Sequence, residues 1–232
     1  MKPRPFLHSN PTALDPLLVL AEVEHRVANE FALAIASIEL IARTCEGRAK
    51  QALTQAAARL WDHAQAHRAL LPPLPADMID LSGYLRKVFE ALTRASLAER
   101  RISLSLHETP IVIETWRAWR IGLILTELIS NSLRHGVWPS GGGAIRVEIT
   151  SGDYDVYCRV TDNGQGSKTP SRGTGTHIVD ALVTEVCGHI HREFRTDGVT
   201  VLLTLPRVHP VARHSNKRFG RVHTSFAQEV SP

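Results

Sequence analysis

The sequence predicts an α+β protein in two parts: a helical hairpin that forms a dimeric four-helix bundle, followed by an α/β sandwich. Three observations carry that prediction. Up to Leu71 the apolar residues recur at helical spacing, with a break at Gly47 and a stop at Pro72-Pro73-Leu74-Pro75. Beyond the prolines, strand-like alternation appears between helical stretches. Three polar or glycine-rich strings then follow in order: Glu127-Leu-Ile-Ser-Asn131-Ser-Leu-Arg134-His135-Gly136, Asp162-Asn-Gly164-Gln-Gly166 and Gly173-Thr-Gly175-Thr.

The elements are taken in chain order. Residues 1–13 contain three prolines and read as a flexible lead. From Leu14 to Arg43, Leu17, Leu20, Val27, Phe31, Ile35, Ile38 and Ile41 make one apolar stripe, with neither Gly nor Pro after Pro16. An alanine-rich helix follows from Arg48 to Leu70. A hairpin over 14–71 buries its stripe poorly alone, so residues 14–70 are the expected homodimer interface. A second domain is expected over 76–206. Its predicted helices are Leu81–Arg94, Trp116–His135 and Thr176–Cys187. Its predicted strands are Arg101–Leu106, Ile111–Glu114, Ala144–Thr150, Val156–Thr161, Ile190–Arg195 and Val199–Leu205. Helices on one face of a mixed sheet give the sandwich.

Composition narrows the function classes. The net charge of +4 resides wholly in the tail 207–232, where Arg207, Arg213, Lys217, Arg218 and Arg221 face Glu229 alone. The body is formally neutral and shows no nucleic-acid footprint. No apolar run approaches the roughly 18 residues that span a bilayer, and the N-terminus lacks a signal peptide's apolar stretch. Cys45, Cys158 and Cys187 are odd in number and lack metal-ligand spacing, as expected of reduced thiols in a cytoplasmic protein. The tail has few large apolar groups and is expected to stay disordered. Its spaced cations also leave open an electrostatic arm that speeds encounter with an acidic partner.

The first string has helical chemistry. Glu127, Asn131 and His135 stand four apart and share one face, while Ile121, Leu123, Ile124, Leu125, Leu128, Ile129 and Leu133 would pack the other. A carboxamide oxygen is a suitable hard ligand for Mg2+, which keeps its remaining positions for water and phosphates. The later strings are glycine turns, where backbone can approach a nucleotide and offer N–H groups.

In this order and spacing, the three strings resemble the N, G1 and G2 boxes of the GHKL nucleotide-binding superfamily of histidine kinases, gyrase B, Hsp90 and MutL. The resemblance implies a Bergerat-type sandwich that binds ATP with Mg2+. It implies that Asn131 holds the metal, that Glu127 orients water or acts as a base, and that Arg134 and His135 contact phosphate or ribose. Asp162 would accept from the adenine amino group. Gly164 and Gly166 would turn under the base, Gly173 and Gly175 would approach the phosphates, and Thr200 would line the adenine pocket. Arg134 stands where the family usually has lysine, Thr176 replaces a leucine, and the lid from Ser167 to Arg172 is short, with Lys168 and Arg172 within reach of phosphates. Trp116, Trp119 and Trp138 are expected in the core or at its rim.

Upstream, His25 lies two residues before Val27, about 160° from the stripe at about 100° per residue. It is therefore predicted to face solvent beside Glu22, Arg26 and Asn29. Glu24-His25-Arg26-Val27-Ala28-Asn29 resembles the phosphoacceptor box of the histidine-kinase subclass reading His-Arg-Val-Lys-Asn-Asn. That likeness spans residues 15–206 and implies a bacterial two-component kinase that autophosphorylates His25 and passes the phosphoryl group to an aspartate of a response regulator receiver domain. Ala28 replaces the usual lysine and Glu30 the second asparagine. These departures leave a second class open, a histidine phosphotransferase or response-regulator phosphatase that does not use ATP productively. An anti-sigma-type serine kinase fits less well, because such proteins lack the hairpin.

Overall fold

The computed structural model describes residues 16–73, 77–97, 100–139, 142–165 and 174–207. The N-terminal lead, Pro75, Gly166, the lid cations Lys168 and Arg172, Gly173 and the tail beyond Arg207 lie outside the described residues. The chain divides into two compact units, residues 1–71 and 72–232.

The first unit is a pair of helices, α1 (Pro16–Thr44) and α2 (Gly47–Ala69), joined through Cys45 and Glu46. Gly47 has φ +58°, the left-handed region that glycine enters without penalty, and this lets the chain reverse at once into α2. Val27, Phe31, Ile35 and Ile38 are half-buried along α1, and Ala42 is buried. Leu53, Ala57 and Leu60 answer them from α2. The Phe31 ring lies 6.2 Å from that of His67. Ile41 departs from the sequence reading and is 54% exposed. It falls about 60° round the helix from Ile38, on the side away from the α2-facing residues.

The second unit begins with a strand that periodicity did not reveal. β1 (Met78–Asp80) is three residues long and pairs antiparallel with β3 (Val112–Glu114), placing Ile79 opposite Ile113. Asp80 then caps α3 (Leu81–Leu92), its carboxylate accepting from Ser82 N and Gly83 N at 3.1 Å each. The α-helix stops at Leu92 rather than Arg94 and passes into a π-helical turn, Thr93–Leu97.

The main sheet has five strands in the order β2 (Ile102–Glu108), β4 (Gly143–Ser151), β5 (Asp155–Asp162), β7 (Gly198–Pro206) and β6 (His189–Arg195). Only β2 and β4 run parallel; the other pairs are antiparallel. Ile145, Val147, Ile149, Val156, Cys158, Val160, Val201, Leu203 and Leu205 alternate along their strands onto one buried face. Against that face lie α3, α4 (Thr115–His135) and α5 (Thr174–Glu185). Ile121, Ile124, Leu125, Leu128, Ile129 and Leu133 form the apolar side of α4, while Leu123, read with them from the sequence, is half-buried and falls about 40° from Glu127, toward the polar side. Burying each such side chain contributes about 1.5–3 kcal/mol.

α4 is locked at both ends. Arg117, 0% exposed, donates to Glu114 Oε2 at 2.9 Å, to the Arg207 carbonyl at 3.2 Å and to the Pro206 carbonyl, so it ties the first turn of α4 to the end of β7. At the other end Arg100 donates to the Leu133 carbonyl at 2.9 Å, a cation placed at the negative end of the helix dipole. Among the described residues, no helix is long and apolar enough to cross a membrane.

Candidate active site

The polar face of α4 forms one wall of a candidate nucleotide site. Glu127 and Asn131 are half-buried, and Arg134 and His135 are exposed in the last turn. Arg134 reaches back to Glu127, with its Nη2 2.8 Å from Oε1. The start of α5 lies close to the same carboxylate. A Cβ on Gly175 would fall 2.0 Å from Glu127 Oε1, so a side chain there would require the Glu127 carboxylate to move. Glu127 thus links the first string to the third by a close approach to the start of α5.

Asp162 ends β5 with its side chain on the buried face of the sheet, in line with Val160 and Cys158, and it is 7% exposed. Its Oδ1 accepts from Gly164 N at 3.0 Å and Val199 N at 3.3 Å, and its Oδ2 accepts from Ser132 Oγ at 2.5 Å. Three hydrogen bonds satisfy a charge that burial would otherwise penalise. Asn163 accepts from Ala144 N at 2.8 Å and pins the turn to β4. Val137 and Gln165 exchange two backbone hydrogen bonds of 2.7 and 2.8 Å, joining the loop after α4 to the Asp162–Gln165 turn. The Trp138 indole packs against Gly136, Gly143 and Gly164 beside that turn, which fits its reading as a rim residue.

The sequence-predicted residues therefore fall into three groups. Glu127, Asn131, Arg134 and His135 share α4, Gly175 meets Glu127, and Asp162 and Gly164 are hydrogen-bonded to each other and, through Ser132, to α4. Gly166 and Gly173 lie outside the described residues. Thr200 requires a correction. It pairs with Thr161, and both belong to the sheet face opposite Asp162. Side chains alternate at every residue of a strand, so the neighbour Val199 stands on the Asp162 side.

Sequence reasoning also passed over Ser132. Its partner is thirty residues away, and nothing in the local pattern distinguishes its hydroxyl from that of any helix-surface serine.

In the helical unit His25 is exposed on α1, as its angular position predicts. Its Nδ1 lies 3.2 Å from Asn29 Nδ2, one turn along. Arg26 pairs with Glu22 at 3.0 Å, so the adjacent cation is already engaged. Cys158 is buried, and burial pushes its thiol up to about 12, which makes it an inert packing group.

Two family models match the chain. Residues 22–96 match a histidine kinase model, and residues 117–209 match the histidine kinase-, DNA gyrase B- and HSP90-like ATPase model. Among curated proteins, the chain is 26% identical over 194 residues to blue-light-activated histidine kinase 1 of Erythrobacter litoralis, covering 81% of this chain and 52% of that protein. It is 27% identical over 198 residues to the sensor histidine kinase PdtaS of Mycobacterium tuberculosis, covering 81% of this chain and 39% of that protein. The chain thus spans about half the length, or less, of these relatives. Among solved structures, the histidine kinase domain of an Erythrobacter litoralis blue-light activated kinase has a TM-score of 0.53 at 17% identity, covering 77% of this chain and 95% of that one. A bacterial phosphotransferase has a TM-score of 0.56 at 16% identity, covering 84% and 100%. At such identities these two likenesses concern the fold.

Proposed function

Since the chain belongs to the GHKL-type sensor histidine kinases, we propose that it autophosphorylates His25 with ATP and passes the phosphoryl group to an aspartate of a response regulator receiver domain. One observation carries the ATP reading: Asp162 is a buried carboxylate held by three hydrogen bonds within reach of the α4 polar face, poised to accept from a base amino group. Arg134 and the N-terminus of α5 supply positive charge for phosphates.

Asn131 fits Mg2+, being a hard carboxamide oxygen with a second oxygen donor, Glu127, one turn away on the same face. The ion would neutralise charge on the phosphates, and Glu127 would hold a water beside it.

At His25 the Asn29 carboxamide lies 3.2 Å from Nδ1. The attacking tautomer carries its proton on Nδ1, donated to the carboxamide oxygen once the amide is turned to face it, and Nε2 then holds the lone pair. In the proposed step the Nε2 lone pair forms the N–P bond to the γ-phosphorus while the bond to the β,γ-bridging oxygen breaks. ADP departs and the ring proton passes to solvent. The aspartate oxygen of the regulator then takes the phosphoryl group, and the N–P bond breaks to return the imidazole.

The homodimer through residues 14–70 belongs to this proposal. Leu33 and Leu40 are each 65% exposed on α1, seven residues apart, which is the spacing of a bundle seam. The requirement for ATP supports a cytoplasmic location.

The decisive assay incubates the chain with γ-labelled ATP and Mg2+ and tests the label for acid lability. His25→Gln should abolish the label and leave nucleotide binding intact. Label that persists in this variant would refute the assignment of His25.

A further inference from the structure

We infer that Ser132 is a positioning residue for base selection, which aims Asp162 at the exocyclic amino group of adenine; the inference rests on the ATP reading above and deepens it. An ionised carboxylate offers about four acceptor sites, two on each oxygen. On Asp162, Oδ1 takes two hydrogen bonds, both from backbone, Gly164 N–H and Val199 N–H. Oδ2 takes one, from the Ser132 hydroxyl at 2.5 Å. Among the described residues this leaves one acceptor site, and it belongs to Oδ2.

The three donors come from three separate places: α4, the turn after β5 and the start of β7. Together they fix the plane of a carboxylate whose terminal torsion is otherwise broad. Two of them are backbone groups, present whatever the side chain. Ser132 is the one side chain among them, so it is the handle by which the sequence sets where the remaining lone pair points. It also follows Asn131 directly, so a single turn of α4 carries both the base-side hydroxyl and the phosphate-side carboxamide.

A buried carboxylate with one lone pair to offer reads a donor. The 6-amino group of adenine donates into it. The 6-carbonyl of guanine would set a second acceptor against it, with neither satisfied. Removing the hydroxyl leaves two open sites on Oδ2 and frees the carboxylate to turn, which weakens the contact with adenine and narrows the preference for ATP over GTP.

The test is isothermal titration of the full chain and its Ser132→Ala and Ser132→Thr variants with ATP, GTP and purine riboside 5′-triphosphate, which lacks the amino group. Ser132→Ala should bind ATP about tenfold more weakly and should bind purine riboside triphosphate as the parent does. Ser132→Thr, which keeps the hydroxyl, should restore the affinity for ATP. Unchanged ATP binding in Ser132→Ala overturns the inference, and so does an equal loss for ATP and purine riboside triphosphate, since a merely structural role would not depend on the amino group. If Ser132→Ala does not fold, Ser132→Cys carries the same comparison with a weaker donor, and the same two results overturn the inference. A parent chain that binds no ATP overturns the nucleotide reading itself, an outcome read before any variant is titrated.

Discussion

The helical hairpin and the sandwich use the same apolar residue types to opposite ends. The sandwich closes on itself: Ile121, Ile124, Leu125 and Ile129 on α4 and Ile145, Val147 and Ile149 of the sheet are all fully buried. The hairpin does not. Among its described residues only Ala42 and Ala57 are buried, while Val23, Leu33, Leu40, Ile41 and Trp61 are exposed. Two helices have too little surface between them to enclose a core, whereas a five-stranded sheet covered by three helices encloses one easily. Stability in the first region should therefore depend on a second copy, and stability in the second should not. The chemistry divides the same way. In the proposed function, the exposed His25 that other groups would reach sits on the open scaffold, and the buried Asp162 carboxylate that would hold one orientation sits in the closed one.

The largest effect expected from this contrast is loss of assembly. Leu40→Asp places a charge on the exposed apolar side of α1 and should turn a dimer into a monomer at micromolar concentration, with ATP binding unchanged. Light scattering checks this, and a parent chain that is already monomeric at that concentration removes the dimer from the account. Next comes the core. Ile124→Ala should lower the stability of the sandwich by about 2–5 kcal/mol, independently of protein concentration, because the cavity adds to the lost burial. Urea unfolding at two protein concentrations separates the two regions, since only a transition of the hairpin should move with concentration.

A smaller effect is confined to the site. Asp162→Asn should weaken ATP binding by about 1.5–3 kcal/mol, the contribution of a hydrogen bond to a charged acceptor, and leave the dimer as it was. An unchanged affinity would show that the base is read elsewhere.

The smallest effect is invisible at neutral pH. Burial pushes the Cys158 thiol from about 9 to about 12, and Tyr84 is likewise raised to about 12. Both groups resist ionisation when folded, so their contribution is intact below about pH 9 and is lost as pH rises toward 12. The sandwich should weaken over that window, and Cys158→Val should flatten the decline. Thermal melts from pH 8 to 11 measure it, and identical slopes for parent and variant would exclude Cys158 as a source.

Much of this contrast was legible in the chain. The period on α4 identified both its faces, because a helix interleaves its polar and apolar residues at a spacing visible within twenty residues. The exposure of His25 followed from the same geometry. The hairpin's lack of a core was legible too, though its exposed side was not. Ile41 belongs to the apolar stripe while Leu33 and Leu40 do not, yet all three are exposed, because helical period tells which residues align and not how wide a neighbour reaches. β1 escaped notice because three residues are too few to show alternation, and its existence depends on β3.

What the sequence determined by itself was therefore local: the order of every element but β1, the polar stripe of α4, the exposure of His25 and the turn after Asp162. Tertiary structure decided everything that pairs residues distant in the chain. Ser132 meets Asp162 across thirty positions, Arg117 meets Pro206 across eighty-nine, and Gly175 lies against the Glu127 carboxylate. Strand register decided that Val199 and not Thr200 stands beside Asp162, since side chains alternate between faces and an assignment one residue off inverts every one of them. Periodicity reports the faces of an element, and only packing determines what each face meets.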